Sequence, residues 1–308
     1  MMYNFIMRII TFKIDEKSAG MQIRDYLRGF GVSSALLTKL KQTENGIMKN
    51  GVFAKAIEKI ECGDELTICI KSEGSMPKPA DLPLDIIYED EDVLALNKPA
   101  AMPVHESRNH RGDTLSNAVA NYMNGKRDSA FRAVFRLDRD TSGIVLTAKN
   151  ELAAAKLAGK IKKDYYAVVC GEIAGKGTID APIRRLGDSI IKRGVFEDGD
   201  SAITHYESIK TNGKYTLLKI NLETGRTHQI RVHLSYVGHP IAGDEVYGPK
   251  KPVKGLCGQC LHAKHIGFVH PRTGQWLEFE SDLPEYFTSF LNKLENCLLY
   301  TSDAADEL

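Results

Sequence analysis

The chain has 308 residues, 43% of them hydrophobic and 26% charged, with a formal net charge of +1. That length allows one sizeable core plus a small accessory domain, and no apolar run reaches the about 18 residues that a membrane-spanning helix needs. A balanced charge selects no partner by itself, but Lys156, Lys160, Lys162 and Lys163 form one basic cluster and Arg184, Arg185, Lys192 and Arg193 another, which suits an anionic partner.

Residues 1–12 lack the basic start and small-residue cleavage site of a secretory signal. They read as a first strand, with Met7 a candidate start. Between Asp25 and Lys41 two short helices are predicted, broken at Gly29 and Gly31, the second capped by Ser33 or Ser34. Asn45-Gly46 predicts a turn, and Gly63-Asp64 precedes the alternating strand 65–70. Residues 13–71 are therefore expected to form a compact α/β unit. Residues 72–83, which bear Pro, Gly and Ser without apolar periodicity, read as a linker.

Beyond the linker, strands are predicted at 85–88, 93–97, 144–148, 165–170, 203–210, 214–223 and 277–280. Helices are predicted at 114–124, 150–162, 227–237 and 284–295. The Thr211-Asn212-Gly213 connection points to antiparallel pairing. The body, residues 84–296, is thus expected to be α+β around a large, mixed, mainly antiparallel sheet. No G-x-G-x-x-G or G-x-x-x-x-G-K-[ST] segment occurs, so no nucleotide cofactor is expected.

The six cysteines (62, 69, 170, 257, 260 and 297) show no framework spacing and read as reduced thiols, which with the missing signal suggests a cytoplasmic protein. Cys257, Cys260, His262 and His265 bring four zinc-type ligands into nine residues. That spacing is too compressed for a tetrahedral site, so no metal is expected. Residues 297–308, CLLYTSDAADEL, resemble a translated sequencing adapter and are read as a non-native tail.

The segment with most chemistry is Arg136-Leu137-Asp138-Arg139-Asp140-Thr141-Ser142-Gly143, just before the apolar run IleValLeuThrAla. Acids, arginines and a Thr-Ser-Gly turn at a strand mouth suit a functional loop. The same residues could equally be structural, with Asp140 capping the turn and Asp138 paired to a nearby arginine.

This segment resembles the "R-L-D-x-x-T-S-G" signature of RluA-type RNA pseudouridine synthases, and other motifs follow in the family's order. Tyr88-Glu89-Asp90 with Asn97-Lys98-Pro99, Lys163-x-Tyr165-x-Ala167-x-Val169-x-Gly171, Gly225-Arg226-Thr227-His228-Gln229-Ile230-Arg231, and Leu261-His262-Ala263 with His270-Pro271 all match. The similarity spans about residues 82–288. The N-terminal unit resembles an S4 RNA-binding domain, with Gly46 to Gly51 and Gly63-Asp64 at its "G-x-x-x-N-G … G-D" strands.

The resemblance implies a cofactor-free enzyme that isomerises uridine in structured RNA, acting as a monomer. Large-subunit ribosomal RNA is the expected substrate, with transfer RNA the alternative; a silent RNA-binding or ribosome-assembly factor is the rival from another class. Asp138 would be the catalytic carboxylate, by attack at C1′, addition at C6, or deprotonation toward a glycal. Arg226 would pair with Asp138, and Tyr165 would stack on the target base. Arg136 would fill the gap left by the flipped base, while Arg231 and Lys39, Lys41 and Lys49 of the S4-like unit would contact RNA. His228 and Gln229 are expected to shape the turn that presents Arg226. Phe135 stands where this family often has His, which implies an altered fit to RNA.

Overall fold

The computed structural model describes residues 7–71, 76–124, 130–187, 189, 191–249, 251, 253–256 and 258–292. The first strand, β1 (Met7–Lys13), is followed by α1 (Ile23–Gly29), α2 (Ser34–Gln42), β2 (Ile47–Lys49), β3 (Val52–Phe53) and β4 (Glu65–Lys71). These strands form an antiparallel sheet in the order β1-β4-β2-β3. Strand β1 pairs along its whole length with β4, so residues 7–12 lie in the same sheet as the unit expected at 13–71. Ser33 caps α2 by accepting from Leu36 N–H, and Leu36, Leu37 and Leu40 turn one helix face into a core shared with Leu27, Leu66 and Ile68. Asn50 and Gly51, both at positive φ, close the β2–β3 hairpin. Asn50 also ties the two halves of the S4-like motif, donating to Asp64 over 2.7 Å and accepting from Glu65 N–H.

The rest of the chain runs β5 (Ile86–Glu89), β6 (Val93–Lys98), α3 (Leu115–Tyr122), β7 (Arg132–Ala133), β8 (Ser142–Ala148), α4 (Glu151–Leu157) and β9 (Lys162–Cys170). It continues through β10 (Lys176–Asp180), β11 (Ile183–Arg185), β12 (Arg193–Val195), β13 (Ile203–Thr211), β14 (Tyr215–Leu222), α5 (Gln229–Tyr236), β15 (Leu261–Val269) and β16 (Trp276–Glu280). Residues 285–292 are helical. Ten strands make one mixed, largely antiparallel sheet, in the order β10-β13-β14-β9-β15-β8-β6-β5, with β16 added to β15 and β7 to β8. The β15–β8 pairing is parallel. Strands β11 and β12 form a separate hairpin.

Both faces of the large sheet are covered. Leu94, Leu96, Val145, Ala167 and Ile220 pack on one side with α3 and α5, while Val93, Ala95, Ile144, Leu146 and Phe268 pack on the other with Leu157 of α4. Fully buried strands read as continuous apolar runs, which is why β6 and β8 were legible. Strand β15 was not predicted. Its sequence LeuHisAlaLysHisIleGlyPheVal breaks any alternation, yet it lies at the centre of the sheet between β9 and β8. Its polar residues are accommodated by tertiary partners: buried His262 bridges Ser142 and Ser281 at 2.9 Å each.

The smaller unit docks on α4. Leu152 joins its core, Lys39 pairs with Glu151 at 2.7 Å, and Lys156 Nζ lies 3.4 Å from the centre of the Phe30 ring. The basic cluster 156–163 is therefore not one solvated face. In the segment read as a linker, the Lys78 carbonyl accepts from Asn117 Nδ2 and Met76 packs on the main core; residues 72–75 lie outside the described residues, as do Cys257 and the tail 297–308. Among the described residues no helix is long and apolar enough to cross a membrane.

Candidate active site

Asp138 sits in the loop between β7 and β8, and that loop is fixed from several sides. Fully buried Lys98 donates to the carbonyls of Pro99, Met102 and Arg139 at 2.8–2.9 Å, so one ammonium holds both the β6 exit and the Asp138 loop. Burial pushes this ammonium down to about 7, against the pull of Asp140 and Asp138. Gln259 donates to Thr141, and Ser142 bonds Tyr286 as well as His262. Gly143 pairs with Ala263 at a φ of +107°, and a Cβ there would run into the Ala263 backbone.

The loop opens on a cleft of about 740 Å³ lined by His105, Phe135, Arg136, Lys163, Tyr165 and Arg226 together with Asp138. The Asp138 side chain is 25% exposed, so its carboxylate is open to a substrate on one side. On the other side Arg231 Nη1 donates to Asp138 Oδ2 over 2.8 Å. The remaining edge of this guanidinium is taken by buried Asp244, with Nε at 2.6 Å and Nη2 at 2.9 Å. Asp244 is in turn held by Val246 and Tyr247 N–H. Burial opposes the Arg231 charge, but the hydrogen bonds and charge of Asp244, then Asp138, outweigh it and raise its pKa. The cation is permanent.

The expected pairing of Asp138 with Arg226 is therefore corrected: the partner is Arg231, five residues further on. Helix α5 begins at Gln229, so Arg231 lies in its first turn, facing inward. Arg226 lies before the helix, is exposed, and donates from Nε to the Ser201 carbonyl over 3.0 Å. It lines the same cleft without bonding the carboxylate. Gln229 secures this turn, accepting from Arg226 N–H and Thr224 and donating to Ile203 and Thr204. His228 occupies a left-handed conformation at φ 59°, a strained state for a non-glycine residue. Its Nδ1 bonds the Tyr247 hydroxyl at 2.9 Å and its Nε2 lies 3.8 Å from Asp138. Burial lowers its pKa, with Asp138 opposing.

Tyr165 is buried, 5% exposed, and reaches the cleft from β9. Burial, reinforced by the Asp138 charge, pushes its phenol up, so it stays neutral. Arg136 is exposed at the rim. Lys39, Lys41 and Lys49 lie on the smaller unit, outside the lining of this cleft; Lys39 holds Glu151, and Lys49 donates to the Lys59 carbonyl and lies 4.0 Å from Asp64. Sequence reasoning gave no role to Asp244 or His105, quoted Lys98 only within a motif, and placed Lys163 only in a basic cluster and in the motif of Tyr165. A signal existed for Lys163, since it precedes Tyr165 by two on one strand and so shares its face. Of the zinc-type cluster, Cys260 is buried and its thiol pushed up by burial, and His262 is engaged by two serines.

The family model described as RNA pseudouridylate synthase matches residues 92–236. An uncharacterised RNA pseudouridine synthase of Bacillus subtilis (strain 168), YlyB, is 41% identical over 261 residues, covering 80% of this chain and 85% of the relative. The ribosomal large subunit pseudouridine synthase D of Haemophilus influenzae is 34% identical over 268 residues, covering 81% of this chain and 83% of that protein. Among solved structures, human RNA pseudouridylate synthase domain containing 1 aligns with a TM-score of 0.54 at 23% identity, over 73% of this chain and 97% of that one, a likeness of fold.

Proposed function

The chain belongs to the RNA pseudouridine synthase family and is an enzyme acting on RNA, and from that premise we propose that Asp138 is its catalytic carboxylate and large-subunit ribosomal RNA its substrate. The observation that carries the proposal is a carboxylate open to a cleft on one side and held by a permanent cation on the other. Pseudouridine formation breaks the N1–C1′ bond of a uridine, turns the uracil and bonds C5 to C1′, with the C5 proton lost and N1 protonated. Such chemistry needs a carboxylate held in place at the sugar linkage.

Arg231 supplies that positioning, and Asp244 fixes Arg231. Tyr165 offers a neutral aromatic face in the same cleft, suited to stacking on an extruded base, which contributes about 1–3 kcal/mol. Arg136 and Arg226, exposed at the rim, suit the RNA around the flipped nucleotide. The ribosomal substrate is favoured by the relatives whose names state it. RNA contacts by Lys41 of the S4-like unit, monomeric action and a cytoplasmic location belong to the same proposal.

The test is pseudouridine mapping of ribosomal and transfer RNA from cells with and without the gene, with Asp138→Asn as the complementing variant. Loss of specific large-subunit sites, restored by wild type alone, supports the proposal. Loss confined to transfer RNA moves the substrate. An unchanged map with bound RNA would mark a silent RNA-binding factor.

A further inference from the structure

Lys163 and Tyr165 alternate onto the same side of β9, so the lysine enters the cleft beside the tyrosine. Three other lysines on or beside this sheet have oxygen partners. Lys98 binds three carbonyls, Lys149 pairs with Glu89 at 3.0 Å, and Lys219 pairs with Asp164 at 3.0 Å. Among the described residues no carboxylate pairs with Lys163. Its neighbours are the Phe135 ring, whose centroid lies 4.8 Å from Nζ, and Gly225, where a Cβ would sit 3.9 Å from Nζ. Burial alone lowers its pKa.

A partly buried ammonium without a counter-ion costs the folded protein free energy that an arriving anion offsets. An aromatic ring offsets part of that cost and leaves the N–H donors free. Uracil and ribose are neutral, so the anion that a target nucleotide brings is its phosphodiester. Resting on the reading that this cleft takes a flipped-out uridine, we propose that Lys163 binds a phosphodiester flanking that nucleotide and thereby positions its ribose at Asp138. Arg136 and Arg226 are exposed at the rim, whereas Lys163 lies inward beside Tyr165, where the target nucleotide itself would sit.

The experiment uses the full chain and a stem-loop oligoribonucleotide carrying the mapped uridine, made with native linkages or with an uncharged methylphosphonate on the 5′ or the 3′ side of that uridine. On the native RNA, Lys163→Met is expected to raise KM about ten-fold or more with a much smaller change in kcat. It should also reduce the slope of log KM against log salt by about one. Lys163→Arg should recover most of the loss. One of the two neutral linkages should raise KM for wild type by a similar factor and leave Lys163→Met unaffected. If wild type converts the native RNA but Lys163→Met responds to both neutral linkages as wild type does, the inference is wrong and the enzyme reading stands. If wild type forms no pseudouridine, the reading of the site itself fails, and the inference with it. Should the Met variant not fold, Lys163→Gln takes its place in the same comparison.

Discussion

Arg231 donates to Asp138 over 2.8 Å from one nitrogen while its other two nitrogens are clamped by Asp244, so the carboxylate facing the cleft is positioned by a cation that cannot turn away. This bond joins the loop before β8 to the first turn of α5, 93 residues apart in sequence. Several outcomes depend on it.

Replacing Asp138 with Asn keeps shape but removes the charge. Pseudouridine formation in single-turnover assays should fall by roughly 10²–10⁴-fold. Filter binding of the same RNA should change little. Retained turnover would remove Asp138 from the chemistry.

Arg231→Met strands Asp244 without its partner in a buried place. Denaturant unfolding should report a loss of about 3–5 kcal/mol, along with loss of activity. Arg226→Met, at an exposed position, should cost at most about 0.5 kcal/mol while raising KM for RNA. Equal destabilisation by both would contradict the division of roles between them.

Tyr165→Leu should lower kcat more than RNA affinity, because base stacking matters once the uridine has left the helix. Tyr165→Phe retains the ring and should retain most turnover. Equal losses in the Leu and Phe variants would point to the hydroxyl instead.

His262 is buried between Ser142 and Ser281, and burial holds its pKa down to about 4. The unfolded chain takes up this proton near pH 6.5, the folded chain near 4, so the unfolded state binds more protons in between. Stability should therefore fall on acidification from pH 6.5 to 4, by up to about 3 kcal/mol from this group, and level off below. His262→Gln should be less stable at pH 7 but show a shallower acid decline. An identical pH dependence in both proteins would exclude the assignment.

Gly143→Ala places a Cβ against the Ala263 backbone at a φ that L residues avoid. The parallel β8–β15 pairing beside Asp138 would be forced apart, costing about 3 kcal/mol or more in denaturant unfolding. Wild-type stability in this variant would mean that the strands separate there freely.

Much of the molecule was legible in the chain itself, because its signals are local. The alternating or wholly apolar runs of β6, β8, β13 and β14 and the Ser33 cap each announce their own structure within a few residues. The Arg136–Gly143 segment marks a polar loop before an apolar strand in the same way. What no local pattern contains is which groups meet through space. The choice between Arg226 and Arg231 as the partner of Asp138 is made where α5 starts, after a left-handed His228 that turns one arginine outward and the other inward. The central place of β15 is likewise settled by partners far along the chain, since Ser142 and Ser281 satisfy a histidine that its sequence leaves looking out of place. Side-chain chemistry is written in the sequence; its pairing is decided by packing, because burial leaves each polar group only the partners that the fold brings within reach.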